Sequence, residues 1–197
     1  MVSNIFYKGW KYGTWGSKFI AWFTGGPYSH SEVMFSKMAS WQYVQRLLAT
    51  PEPSNVYEKL LLRSKGQFEH YGSLYAAIMG GHLRLCWSSS LLDKGVRLKL
   101  IDVEPQKWTE VKFHMSVEKQ HTAIQWCETQ SGRKYDVVGV LGFISQRLHI
   151  IRPSKNADYC SETTERFDVH FGILKDFLHP NDIPPHPNEL YRVVSNL

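Results

Sequence analysis

Tyr28-Ser29-His30-Ser31-Glu32-Val33-Met34-Phe35 alternates as a β-strand does, with Tyr28, His30, Glu32 and Met34 on one face and Ser29, Ser31, Val33 and Phe35 on the other. Two polar neighbours, His30 and Glu32, on a face shared with Tyr28 and Met34 do not suit a simple core strand. They suit a strand that borders a cleft. Residues i and i+2 of a strand lie about 6.5 Å apart, so the Glu32 carboxylate is within reach of the His30 imidazole. Far along the chain, Tyr159-Cys160-Ser161-Glu162 follows the polar stretch 154–158 and predicts a helix opening at Cys160. Glu162 in the first turn complements the positive end of the helix dipole. A thiol is a strong nucleophile only as thiolate, and a helix N-terminus with a nearby imidazole lowers its pKa. Cys160 has the first aid locally; the fold must supply His30.

Outward from these stretches, Trp15, Phe19, Trp22 and Phe23 recur at i, i+4, i+7 and i+8, the spacing of one buried helix face, and Gly25-Gly26-Pro27 ends that helix. Residues 38–49 are predicted helical through Met38, Trp41, Val44, Leu47 and Leu48, up to Pro51-Glu52-Pro53. Further helical pieces are expected at 57–62 and 73–79. Alternation predicts paired strands at 82–88 and 96–103, connected through Ser88-Ser89-Ser90 and Asp93-Lys94-Gly95, with another strand at 108–115. Ser116 suits the N-cap of a helix through Val117, Ile124 and Cys127 that Gly132 ends, and Asp136 suits the cap of another through Val140 and Ile144. The Cys160 helix is expected to continue past Phe167 and Phe171. Four of the nine prolines fall in 179–187, which predicts an extended wrap before a short helix at 187–194.

A chain of 197 residues with 43% hydrophobic content can bury one substantial core and is short for two domains. Its aromatic wealth, 7 Trp, 10 Tyr and 10 Phe, argues against disorder and for some exposed rings around a groove. Cys86, Cys127 and Cys160 form an odd set without metal-ligand spacing, so neither a disulfide framework nor a metal site is indicated, and no cofactor is expected. A reducing cytoplasm, or a particle assembled there, is the expected setting. The net charge of +5 favours anionic polymers in general, but the basic residues are scattered and no nucleic-acid motif appears, which argues against specific nucleic-acid binding. The longest uninterrupted apolar run near the amino end, Phe19-Ile20-Ala21-Trp22-Phe23, is too short for a signal-peptide core or a transmembrane segment.

Four strings in order, Pro27-Tyr28-Ser29-His30-Ser31-Glu32, Gly95-Val96-Arg97, Gly132-Arg133-Lys134-Tyr135-Asp136 and Tyr159-Cys160-Ser161-Glu162, resemble the circularly permuted NlpC-type branch of papain-like cysteine hydrolases, phage and prophage members above all. His precedes Cys, the reverse of papain order. The resemblance implies an α+β fold of one domain over 1–197, its central antiparallel sheet packed by the Cys-bearing helix. Relatives pass quickly from the His strand to the next, so 37–81 reads as a helical insertion, a cover or docking element beside the groove.

The resemblance also implies a thiol-dependent hydrolase of an amide or ester bond, with Cys160 as nucleophile, His30 as base and an acyl-enzyme intermediate. The orienting third group is left between Glu32, slightly favoured, and Ser88 or Ser90. The Cys160 N–H is the first oxyanion donor. Tyr135 resembles the tyrosine of the family's Gly-x-x-Tyr block and, with Ser88 and Tyr28, is assigned to substrate binding. Each role has a plainer rival: a buried thiol, one of nine histidines bonded to a carbonyl, a core tyrosine. Cys86 and Cys127, each inside an apolar pattern, fit the plainer role. The implied partner is a peptidoglycan peptide or an acyl substrate, met from the host cytoplasm or a virion. Rival readings are a tail-associated virion structural protein and a lipid acyl hydrolase or acyltransferase.

Overall fold

The computed structural model describes residues 1–49, 60, 73–137, 157–178 and 185–197. Its sheet comprises β1 (Val2–Tyr7), β2 (His30–Met34), β3 (Leu83–Ser90), β4 (Gly95–Asp102), β5 (Trp108–Phe113) and two short strands, β6 (Lys134–Tyr135) and β7 (Ala157–Asp158). They run in the order β5-β1-β2-β3-β4-β6-β7, antiparallel except for β7, which joins β6 in parallel. The expected α+β class and helix-packed antiparallel sheet are present. β1, in mid-sheet between β5 and β2, is absent from the sequence reading, because buried Ser3 and Asn4 break its apolar pattern.

The helices are α1 (Gly9–Tyr12), α2 (Trp15–Phe23), α3 (Lys37–Leu48), α4 (Leu74–Met79), α5 (Val117–Gln130), α6 (Cys160–His170) and α7 (Pro187–Val194). Serine side chains start three of them: Ser36 and Ser116 accept from the N–H groups of Ala39 and Lys119, each at 3.3 Å, and Ser73 accepts from the Ala76 N–H at 3.1 Å. Gly25, with φ of 67°, ends the α2 region in the left-handed conformation that only glycine adopts without strain.

Strand alternation divides the sheet into two unlike faces. Val33, Leu85, Trp87, Val96, Leu98 and Leu100 point to one side and join α3, α4, α5 and α6 in the main core. The register aligns Met34 with Cys86, Cys86 with Lys99, and Ser88 with Arg97. His30, Glu32, Ser88, Arg97 and Lys99 therefore share the opposite face. A second cluster, Phe6, Tyr28, Leu174, Leu190 and Val194, anchors α7. Asn188 of α7 accepts from the Tyr28 N–H at 2.9 Å and donates to the Tyr28 carbonyl at 2.8 Å, fixing the backbone just ahead of His30.

Several expectations need correction. Trp15, Phe19 and Trp22 do form a helical stripe, but it faces outward, and Ala21 is the buried residue of α2. Ser88-Ser89-Ser90 belong to β3 rather than to the turn after it, because their backbones stay paired with Arg97, Val96 and Gly95. β5 stops at Phe113 and α6 at His170, so Phe171 caps the helix instead of extending it. α3 and α4 of the 37–81 segment supply Ala39, Tyr43, Val44, Ala77 and Ile78 to the main core, and Leu60 of the same segment lines the cleft bordered by His30. The expected helical piece at 57–62 apart from Leu60, the helix beyond Asp136 and the wrap at 179–184 lie outside the described residues.

Candidate active site

α6 packs beneath β2 and β3 through Phe167, which meets the rings of Phe35 and Trp87, and the Thr164 hydroxyl donates to Ser31 at 3.3 Å. β2 and β3 pair at Val33–Trp87 and Met34–Cys86, and the Phe35 N–H donates to the Leu85 carbonyl at 2.9 Å, so the ladder opens at its other end, toward His30 and Ser90. The start of α6 fills that opening. The Ser89 hydroxyl donates to the Asp158 carbonyl, and Asp158 accepts from Arg133 at 2.6 Å and from Arg166 at 3.0 Å. Two arginines thus hold the residue two positions before Cys160. No side chain caps α6, which leaves its first N–H groups for other acceptors.

Cys160 and His30 meet side chain to side chain in hydrogen-bonding contact. The His30 Nε2 lies 2.8 Å from Glu32 Oε1, so Nδ1 is the ring nitrogen left for the sulfur. Ser88 donates to the same Glu32 oxygen at 2.8 Å and approaches His30 Nε2 at 3.4 Å; Lys99 Nζ lies 3.4 Å from Glu32 and 2.8 Å from Asp93. These contacts hold the Glu32 carboxylate against the His30 ring, with Ser88 and Lys99 behind it.

Electrostatics follow from this arrangement. Burial opposes ionisation of the Cys160 thiol, yet the His30 charge and hydrogen bond, with the Ser31 and Ser161 N–H groups, hold its pKa below the ordinary value. Burial likewise opposes protonation of His30, but Cys160 first and Glu32 next push it up to about 10. Glu32 is desolvated, and Lys99 ahead of His30 keeps it below the usual carboxyl range. Both shifts act in the direction of the thiolate–imidazolium form of the pair. Burial pushes Cys86 and Cys127 the other way, well above the ordinary thiol value.

A cleft of about 570 Å³ opens on the polar face of the sheet, lined by His30, Glu32, Arg97, Lys99, Tyr135 and Trp108 among others, with Leu60, Leu91 and Leu92 adding apolar wall. Cys160 is only 5% exposed and adjoins the cleft through His30 and Tyr135. Arg97 lines the cleft too, and its buried Nε has no hydrogen-bond partner among the described residues. Tyr135 lines the cleft. Ser88 instead serves Glu32, and Tyr28 lies in the second core cluster, its hydroxyl 3.1 Å from Thr109 and its ring off the cleft lining.

Lys99, Asp93 and the Arg133–Asp158–Arg166 clamp are missing from the sequence reading. Lys99 was visible in principle, since Arg97 and Lys99 alternate with Val96, Leu98 and Leu100 along β4. Among the described residues, no cluster could hold a metal ion and no helix is long and apolar enough to cross a membrane. No protein-family model, no curated protein and no solved structure matches this chain.

Proposed function

We propose that the chain is a thiol-dependent hydrolase of the permuted NlpC-type, papain-like kind, cleaving an amide or ester through an acyl-enzyme. The observation that carries this reading is the side-chain contact of the Cys160 thiol with the His30 imidazole, whose far nitrogen is held by Glu32. In this mechanism the Cys160 thiolate adds to the substrate carbonyl while the Cys160 N–H, at the start of α6, takes the developing oxyanion. The His30 imidazolium then gives its proton to the departing amine or alcohol as the carbon–heteroatom bond breaks. Water attacks the thioester, neutral His30 accepts its proton, and the acid leaves with the thiolate restored. Glu32 keeps the ring oriented throughout.

Cell-wall peptide is the substrate the family resemblance suggests, in a phage protein acting from the host cytoplasm or a virion. A second reading, an acyl-lipid substrate, is favoured by the apolar cleft wall of Leu60, Leu91 and Leu92. The test is reaction with an activated acyl ester, followed by intact mass and peptide mapping. The proposal expects one acyl adduct at Cys160, absent in Cys160→Ala, and slow hydrolysis that restores the free thiol. Parallel assays on peptidoglycan fragments and on phospholipid then separate the two substrates. An unmodified Cys160, with no turnover of any ester or amide, contradicts the hydrolase reading and leaves the fold with a structural role such as a virion component.

A further inference from the structure

Trp15, Phe19 and Trp22 are 89%, 42% and 66% exposed on one face of α2, and Trp10 of α1 is 56% exposed. Phe19 lies 6.1 Å, ring to ring, from both Trp22 and Phe23, so the stripe is a continuous aromatic surface. Bare aromatic surface of this kind marks a contact site in stable proteins. Along this stretch of chain the charge has a single sign. Residues 1–31 contain Lys8, Lys11 and Lys18 and neither Asp nor Glu.

None of these lysines meets a carboxylate among the described residues: Lys8 donates to the carbonyls of Pro105 and Gln106, and Lys11 lies over the Tyr12 ring. Elsewhere Arg46, Lys99, Lys107, Lys112, Arg133 and Arg166 have acidic partners, while Lys37 and Arg84 donate to backbone carbonyls. Unneutralised lysines beside indole rings complement one kind of surface, an anionic layer with an apolar interior: rings settle at the headgroup level and ammonium groups meet phosphates. A second copy of this face would oppose the same lysines to one another, which disfavours self-association. α2 also lines the cleft through Ser17 and Ile20, and exposed Leu91, Leu92 and Val137 extend the apolar rim there.

We propose that the α1–α2 face docks on an anionic lipid surface, with Trp15, Phe19 and Trp22 entering the interface and Lys11 and Lys18 engaging the headgroups. Docking there sets the cleft beside the membrane plane. The inference stands apart from the chemistry of Cys160, because binding is read without turnover.

The test uses the full chain and Cys160→Ala with vesicles of phosphatidylglycerol and phosphatidylcholine, and with pure phosphatidylcholine, scored by co-sedimentation and by quenching of Trp fluorescence with brominated acyl chains. Both proteins are expected to bind the anionic vesicles, to bind neutral ones more weakly, and to be released by salt. The triple variant Trp15→Ala, Phe19→Ala, Trp22→Ala should weaken binding at least about tenfold, and Lys18→Glu by about fivefold or more. Near-UV dichroism and thiol labelling of the variants verify the fold, and single substitutions replace the triple one if it fails to fold. The proposal is overturned if anionic vesicles are not bound at low salt. It is equally overturned if binding survives loss of the aromatic stripe, or if the stripe instead governs a concentration-dependent dimer or binding to another protein.

Discussion

Glu32 orients His30 and, after Cys160, adds to what raises its pKa. Its carboxylate is buried, holds Nε2 at 2.8 Å and is itself held by Ser88 and Lys99, so the imidazole has one orientation and a reason to stay charged. Glu32→Gln keeps the shape and removes the charge. Raised pKa at His30 depends partly on that charge, and lowered pKa at Cys160 depends on His30, so the thiolate fraction near neutral pH should drop. Thiol labelling of Glu32→Gln at neutral pH is expected to slow by about ten- to a hundredfold, with its pH midpoint moved upward. Glu32 acts through His30, and an unmoved midpoint would make its role merely structural. The pairing of His30 with Glu32 was legible because a strand puts i and i+2 on one face. The choice between Glu32 and Ser88 was not, because register across strands is set by long-range pairing that no local pattern encodes. Tyr28 misled for a related reason: it precedes the strand, and Asn188, 160 residues away, fixes its backbone.

At the scale of elements, α6 delivers Cys160, and Phe167 holds α6. Its fully buried ring packs against Phe35, Trp87, Trp126 and Phe171. Phe167→Ala should cost about 3–5 kcal/mol in denaturant unfolding, a large share of the stability of an ordinary domain. A loss under about 1 kcal/mol would mean that the helix is held elsewhere. The sequence announced α6 through Cys160 and Glu162, α5 through its serine cap, and α3 through its apolar period. It announced α2 as well, but its apolar period could not tell a buried face from one meant for a partner. β1 escaped because Asn4 is buried opposite Asp168, a polar pairing between residues 164 apart that breaks the apolar pattern.

Across the whole molecule, one sheet separates a dry core from a charged cleft, and the buried charges give stability a pH dependence. Burial raises the Asp168 carboxyl well above its ordinary value, although Asn4 donates to it at 2.6 Å. A carboxyl raised in the folded state binds its proton more tightly there than in the unfolded chain. Its contribution is therefore fullest below the unfolded pKa and is lost as pH rises toward the folded one. Asp168→Asn should remove that decline, and unfolding midpoints from pH 4 upward, on the order of the ordinary carboxyl value, measure it. A slope equal to that of the parent would place the cost elsewhere. The central claim, that the fold converts one of three thiols into a thiolate paired with His30, is tested most directly by site-resolved alkylation across pH. Cys160 is expected to label with a midpoint below the ordinary thiol range, shifted upward in His30→Ala, while Cys86 and Cys127 stay unlabelled in the folded protein. Labelling of all three with one common midpoint, unchanged by His30→Ala, would contradict the account.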